Sequence, residues 1–208
     1  SFPLLFFSGE EIEERKAKKY EGIIKVIIPI FSTFKNKKAL PFILGYGGHT
    51  YELFGFRSWT FPCILFLSTY FKTPVTDAFI ANAIGLMGFL GIFASIYGAR
   101  YCINKDRAKV VSKMGLICFV GSIITAISFW YSFWLALLML FIYNALIVLD
   151  SGSLTTGVVI NGKPEDRGVR LALHSMVGFF GGALGGPIVG LILDCLLYTS
   201  DAADDTPC

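Results

Sequence analysis

Residues 45–59 run Gly45-Tyr46-Gly47-Gly48-His49-Thr50-Tyr51-Glu52-Leu53-Phe54-Gly55-Phe56-Arg57-Ser58-Trp59, inside an apolar run from about Leu40 to Tyr70. That run is long enough to cross a bilayer, yet it carries a histidine, a glutamate and an arginine. At the centre of a membrane helix each charge costs roughly 2.5–3.5 kcal/mol on the insertion scale, so such groups turn toward protein or a water-filled cavity. At about 1.5 Å per residue, Glu52 falls about 18 Å from Leu40, near mid-membrane. His49 lies one turn earlier on the same face, within side-chain reach. A helix of this kind is expected to handle something polar inside a membrane.

Composition supports that setting. Of 208 residues, 54% are hydrophobic and 16% charged, against about 25% charged in an ordinary soluble domain. The mean hydropathy is +0.65. A net charge of +3 is too small to point to nucleic acid. The five cysteines form no C-x-x-C pair, and Cys63, Cys102 and Cys118 fall in or beside apolar runs. Neither a metal site, a cofactor nor a disulfide framework is expected. The chain begins at Ser1 without a signal-peptide pattern and is expected to be a fragment.

Residues 1–8 are apolar but too short to span, as the tail of a preceding helix would be. Residues 9–38 hold eight Lys/Arg and five Glu around an apolar patch broken by Pro29. They read as a charged loop, either solvated or lying partly on the membrane surface. Five runs then exceed the roughly 18-residue length of a spanning helix: about 40–70, 78–99, 109–130, 132–160 and 168–194. The expected fold is all-α, a polytopic transmembrane bundle of five long helices. The first and fourth runs are overlong, implying tilt or a kink, with Pro62 and the Gly45/Gly47/Gly48 cluster as candidate bends in the first.

Charge placement orients the bundle. Sixteen of the eighteen Lys/Arg fall in residues 9–38, around residues 100–113, or between Lys163 and Arg170; Arg57 and Lys72 are the exceptions. By the positive-inside rule that side is cytoplasmic. Trp130, Tyr131 and Trp134 sit at the opposite boundary, as interfacial anchors do. In the last run Gly178, Gly182, Gly186 and Gly190 recur every four residues beside Gly181 and Gly185. One face is then nearly bare, open to static packing or to a sliding contact, and Pro187 adds a candidate kink.

The segment Cys195-Leu196-Leu197-Tyr198-Thr199-Ser200-Asp201-Ala202-Ala203-Asp204-Asp205 resembles the translation of a sequencing-library adapter. Residues 195–208 are therefore expected to be a tail foreign to the fold.

The basic segment followed by Gly-Tyr-Gly-Gly-His-Thr-Tyr-Glu-Leu-Phe-Gly-Phe-Arg-Ser-Trp resembles the second half of a major facilitator superfamily transporter. So do Leu149 to Gly157 and Arg167 through Pro187. The resemblance covers residues 31–194 and implies that the five runs are helices seven to eleven of twelve. Residues 1–38 would then contain the central cytoplasmic loop, residues 39–194 would form the second membrane half, and a six-helix first half would be the missing partner. One family signature is degraded: after Gly98, Cys102 stands where that family often has an acid, while Lys105, Arg107 and Lys109 keep the basic part. No gating charge relay is carried over to this loop.

In that family helices one, four, seven and ten line the central cavity, which implies the same for the runs bearing Glu52 and Asp150. Burial disfavours the charged form of a carboxylate, so Glu52 could take up and release a proton as water reaches it, tuned by His49. The structural alternative is a Glu52 tied to His49 or Tyr51 that fixes helix packing. Asp150, about 27 Å along its run, could pair with Arg170 or His174 as a cytoplasmic latch or as a permanent ion pair. Arg57, about two-thirds of the way across its helix, could attract an anionic substrate or a partner acid, or snorkel to the surface. Asn82 and Asn144 suit helix–helix hydrogen bonds.

The expected function is secondary active transport of a small solute by alternating access, coupled to protons, in the plasma membrane of a bacterium. The partners are the solute, the lipid bilayer and the other half. A membrane-embedded enzyme is the rival, but the two histidines, His49 and His174, begin no H-E-x-x-H motif. A structural subunit would have no use for a mid-membrane glutamate.

Cysteines introduced near Tyr101 and Gly162 should be shielded from impermeant thiol reagents in intact cells, and one near Thr73 should be labelled. The reverse pattern would overturn the topology.

Overall fold

The computed structural model describes residue 30 and residues 33–204; expectations for the remaining residues lie outside it. Among the described residues there is no strand. Helix α1 is Leu40–Tyr70, α2 Asp77–Tyr101, α3 Arg107–Ser128, α4 Phe133–Val148, α5 Ser151–Ile160 and α6 Arg167–Asp204, with a 3₁₀ turn at Pro164–Asp166.

Polar residues in the short links start the middle helices. Thr76 accepts from the Phe79 N–H at 3.2 Å, Asp106 from that of Lys109 at 3.3 Å, and Ser132 from that of Leu135 at 3.2 Å. Each satisfies a donor that a helix start leaves unpaired. At Asp106 the Lys109 backbone N–H, joined by the Lys109 side chain, holds the exposed carboxyl below its usual range. Pro41 sits in the first turn of α1, where its missing N–H costs nothing. The helix continues unbroken through the glycine cluster and Pro62.

Four helices are long and apolar enough to cross a membrane among the described residues: Asp77–Tyr101, Arg107–Ser128, Phe133–Ile160 and Pro164–Cys195. Helix α1, at 31 residues, has the length. Its polar side chains dilute its apolar content, so composition alone supports four of the five expected spans. Burial is arranged for a lipid surround. Leu116, Phe119, Phe179 and Phe180 are exposed, while His49, Thr50, Asn144, Ser153, Arg170 and His174 are buried. An apolar exterior of this extent marks a membrane or partner surface. Trp130 and Tyr131 are 80% and 70% exposed at the α3–α4 turn.

The fourth run is one 28-residue span from Phe133 to Ile160, and it carries the kink that its length implied. Its backbone tightens where the Leu149 N–H bonds to the Leu146 carbonyl at 3.2 Å, and helical bonding resumes from the Asp150 carbonyl to Leu154 N–H at 2.9 Å. The overlong run is thus resolved by a break between α4 and α5. Gly98 of α2 accommodates it, because a Cβ there would collide with the Leu149 carbonyl. Ser153 donates to the Gly98 carbonyl at 3.1 Å and so ties α5 to the same place. The last helix begins one residue early and continues past Asp194 to Asp204.

The α6 glycines pack on α1. A Cβ at Gly181 would strike the Gly47 carbonyl, and one at Gly185 the Tyr51 carbonyl and the Gly55 nitrogen. Gly178, Gly182, Gly186 and Gly190 receive the side chains of Tyr46, Phe54, Ser58 and Trp59 respectively. Thr50 donates to the Gly178 carbonyl at 2.7 Å and Trp59 Nε1 to the Gly186 carbonyl at 2.9 Å. The four-residue repeat therefore holds side chains, while Gly181 and Gly185 make the backbone approach.

Gly185→Val should destabilise the protein in detergent by about 1–3 kcal/mol or more, since backbone atoms cannot yield as a side chain would. Gly85→Ala faces open space and should stay within about 1 kcal/mol, in the stabilising direction. Equal effects in thermal unfolding would contradict this packing.

Candidate functional site

Because α1 turns its glycines and Tyr51 carbonyl toward α6, Glu52 is carried to the side that faces α3 and α4. Its Oε1 accepts the Tyr143 hydroxyl at 2.6 Å and the Cys118 thiol at 3.4 Å. Both donors are uncharged, and Glu52 forms no ion pair among the described residues. The carboxylate borders a cleft of about 500 Å³ between α1, α3, α4 and α6, whose walls include Tyr51, Phe56, Trp59, Phe129 and Tyr143. Tyr51 lines the same cleft, but the hydrogen bond to Tyr51 or His49 expected as the structural alternative is made instead by Tyr143 and Cys118.

His49 is not the neighbour of Glu52 that its spacing predicts. The α4–α5 break brings Asp150 against α1, where Asp150 Oδ1 lies 2.9 Å from His49 Nδ1. The contact lacks hydrogen-bond alignment, so the attraction rests on charge and requires a protonated imidazole. Both expected partners of Asp150 are engaged elsewhere. His174 stacks on Tyr46 with ring centroids 3.9 Å apart, and its Nε2 lies 3.2 Å from the Thr155 hydroxyl. Tyr46 also stacks toward His49 at 5.7 Å.

Arg170, 2% exposed, donates to the carbonyls of Val158 at 3.2 Å, Lys163 at 2.9 Å and Val159 at 3.4 Å. It caps the end of α5, where a cation also meets the negative end of the helix dipole. The proposed Asp150–Arg170 and Asp150–His174 latches are thus replaced here by His49–Asp150 and by an arginine clasp of the α5–α6 link. Gly162 completes the clasp, since a Cβ there would run into the guanidinium.

Arg57 lies on another side of α1. It is exposed and has no hydrogen bond or ion pair among the described residues. Asn144 donates to the Met87 carbonyl at 2.7 Å, the helix–helix role expected of it, whereas Asn82 makes no such bond among the described residues. Tyr143, Cys118 and Tyr46 had no assigned role in the sequence. A tyrosine in mid-span, away from the interfacial belts, was a usable signal for Tyr143; nothing marked Cys118. Among the described residues no three His, Cys, Asp or Glu side chains converge as metal ligands would.

No family model, curated protein or solved structure matches the chain.

Proposed function

We propose that the chain is the second half of a major facilitator superfamily permease, with α1 as a fifth span beside the four apolar ones. It moves a small solute by alternating access across a bacterial plasma membrane, its basic side in the cytoplasm, and Glu52 exchanges the coupling proton. The observation that carries this reading is a membrane-depth carboxylate at an aromatic cleft whose hydrogen-bond partners, Tyr143 and Cys118, are both neutral.

Among the described residues no cation is paired with Glu52. As a carboxylate it accepts from Tyr143 and Cys118 and requires water or a polar ligand at its second oxygen. Once protonated it is neutral, and apolar walls can close over it at far lower cost. Opening of the cleft to one side and then the other would load and unload the proton. Tyr143 orients the carboxyl in both states, because its hydroxyl can donate or accept.

Glu52→Gln holds the neutral form permanently. In the full-length permease this variant should fold and exchange solute across liposomes, while accumulation driven by a pH gradient falls at least tenfold. Unchanged accumulation with unchanged pH dependence would make Glu52 structural and place coupling elsewhere, with Asp150 the next position to test.

A further inference from the structure

On the α2 side of α1, away from the Glu52 carboxylate, a second cleft of about 320 Å³ is lined by Phe56, Arg57, Thr60, Met87, Gly88 and Asn144 among others. Phe56 and Thr60 also line the Glu52 cleft and so form the wall between the two. We propose that this second cleft binds a small organic carboxylate, held by Arg57 and Asn144.

Met87 lies about 15 Å from the Asp77 end of α2, and Asn144 about 16 Å from the Phe133 end of α4. Arg57 lines the same cleft as these two residues, at a depth from which an extended side chain falls short of the nearer helix ends, so snorkelling alone does not satisfy its charge. Among the described residues, neither acid at this depth is free to neutralise it. Glu52 faces Tyr143 and Cys118, and Asp150 faces His49. An uncompensated cation at this depth is costly unless an anion or water meets it.

The donors available fit a carboxylate. Arg57 offers a planar fork suited to two oxygens. The Asn144 amide spends one N–H on the Met87 carbonyl and retains a second. Thr60 donates to the Phe56 carbonyl at 2.6 Å, leaving its oxygen as an acceptor for a ligand hydroxyl. Gly88 contributes no side chain, and a Cβ there would meet nothing within 4 Å, so the α2 wall leaves room. Phe56, Ile84 and Met87 supply an apolar surface for the rest of the molecule. A cationic ligand finds no acid in this cleft.

The inference rests on the transport reading only in treating the bound anion as cargo: a proton on Glu52 and an anion at Arg57 would then travel as a neutral pair. Binding itself can be measured without a gradient. Full-length protein in detergent would be titrated calorimetrically with acetate, benzoate and succinate at constant ionic strength, and with tetraethylammonium. At least one carboxylate should bind saturably, tetraethylammonium should not, Arg57→Gln should weaken binding at least tenfold, and Arg57→Lys should weaken it severalfold through loss of the fork. Absence of binding by all three carboxylates, binding of tetraethylammonium alone, or unchanged affinity in Arg57→Gln would overturn the assignment. If the Gln variant does not fold, unchanged affinity in Arg57→Lys overturns it. Carboxylate binding lost with Arg57, in a protein whose proton coupling does not depend on Glu52, would leave this site standing and remove only the coupling role of Glu52.

Discussion

Two backbones touch where α6 crosses α1, and that contact decides which way the charged side chains of α1 point. Gly181 and Gly185 admit the carbonyls of Gly47 and Tyr51, while Thr50 and Trp59 hydrogen-bond to carbonyls of α6. In a lipid surround, where apolar burial gives helices little reason to associate, close packing and such hydrogen bonds supply the attraction. With that side of α1 committed, Glu52 turns toward α3 and α4, and Arg57 toward α2. One helix thereby separates an acid and a base into two clefts that share only a thin wall.

The break between α4 and α5 is the second device. There the Leu149 carbonyl is received by Gly98, and Asp150 meets His49. The result is a polar seam inside an apolar bundle, from His174 and Tyr46 through His49 and Asp150. Each member has a defined neighbour on another helix. Buried polar groups are stabilised only when partnered, so the seam resists movement of α1, α5 and α6 relative to one another. Its weak points are His174 Nδ1 and the misaligned His49–Asp150 contact, where buried atoms lack a hydrogen bond.

The helices were legible in the sequence because their apolar runs are long and their links short. Helix α1 was legible for the opposite reason, since ionisable residues in such a run are costly and stand out. The glycine repeat of α6 also announced a close contact, although the backbone approach falls on Gly181 and Gly185, beside the four-residue series. What the sequence could not show is pairing. His49 and Glu52 share a face at helical spacing, yet each finds its partner on another helix, at Asp150 and Tyr143. Arg170, an apparent ion-pair partner, is satisfied by three carbonyls. Which carboxylate meets which donor follows from helix rotation and from the α4–α5 break, and neither is written in local periodicity.

Proton coupling at Glu52 requires that water reach it from one side of the membrane at a time, and Cys118 lies where that access can be read. Its thiol touches the Glu52 carboxylate, and the residue is 6% exposed. In full-length protein whose only cysteine is Cys118, an impermeant thiol reagent would be applied from each side in turn, with the pH on the reagent side held constant. The account predicts that labelling occurs from one side at a time, and that reversing the pH gradient changes which side reacts. Labelling from both sides alike, whatever the gradient, would contradict it.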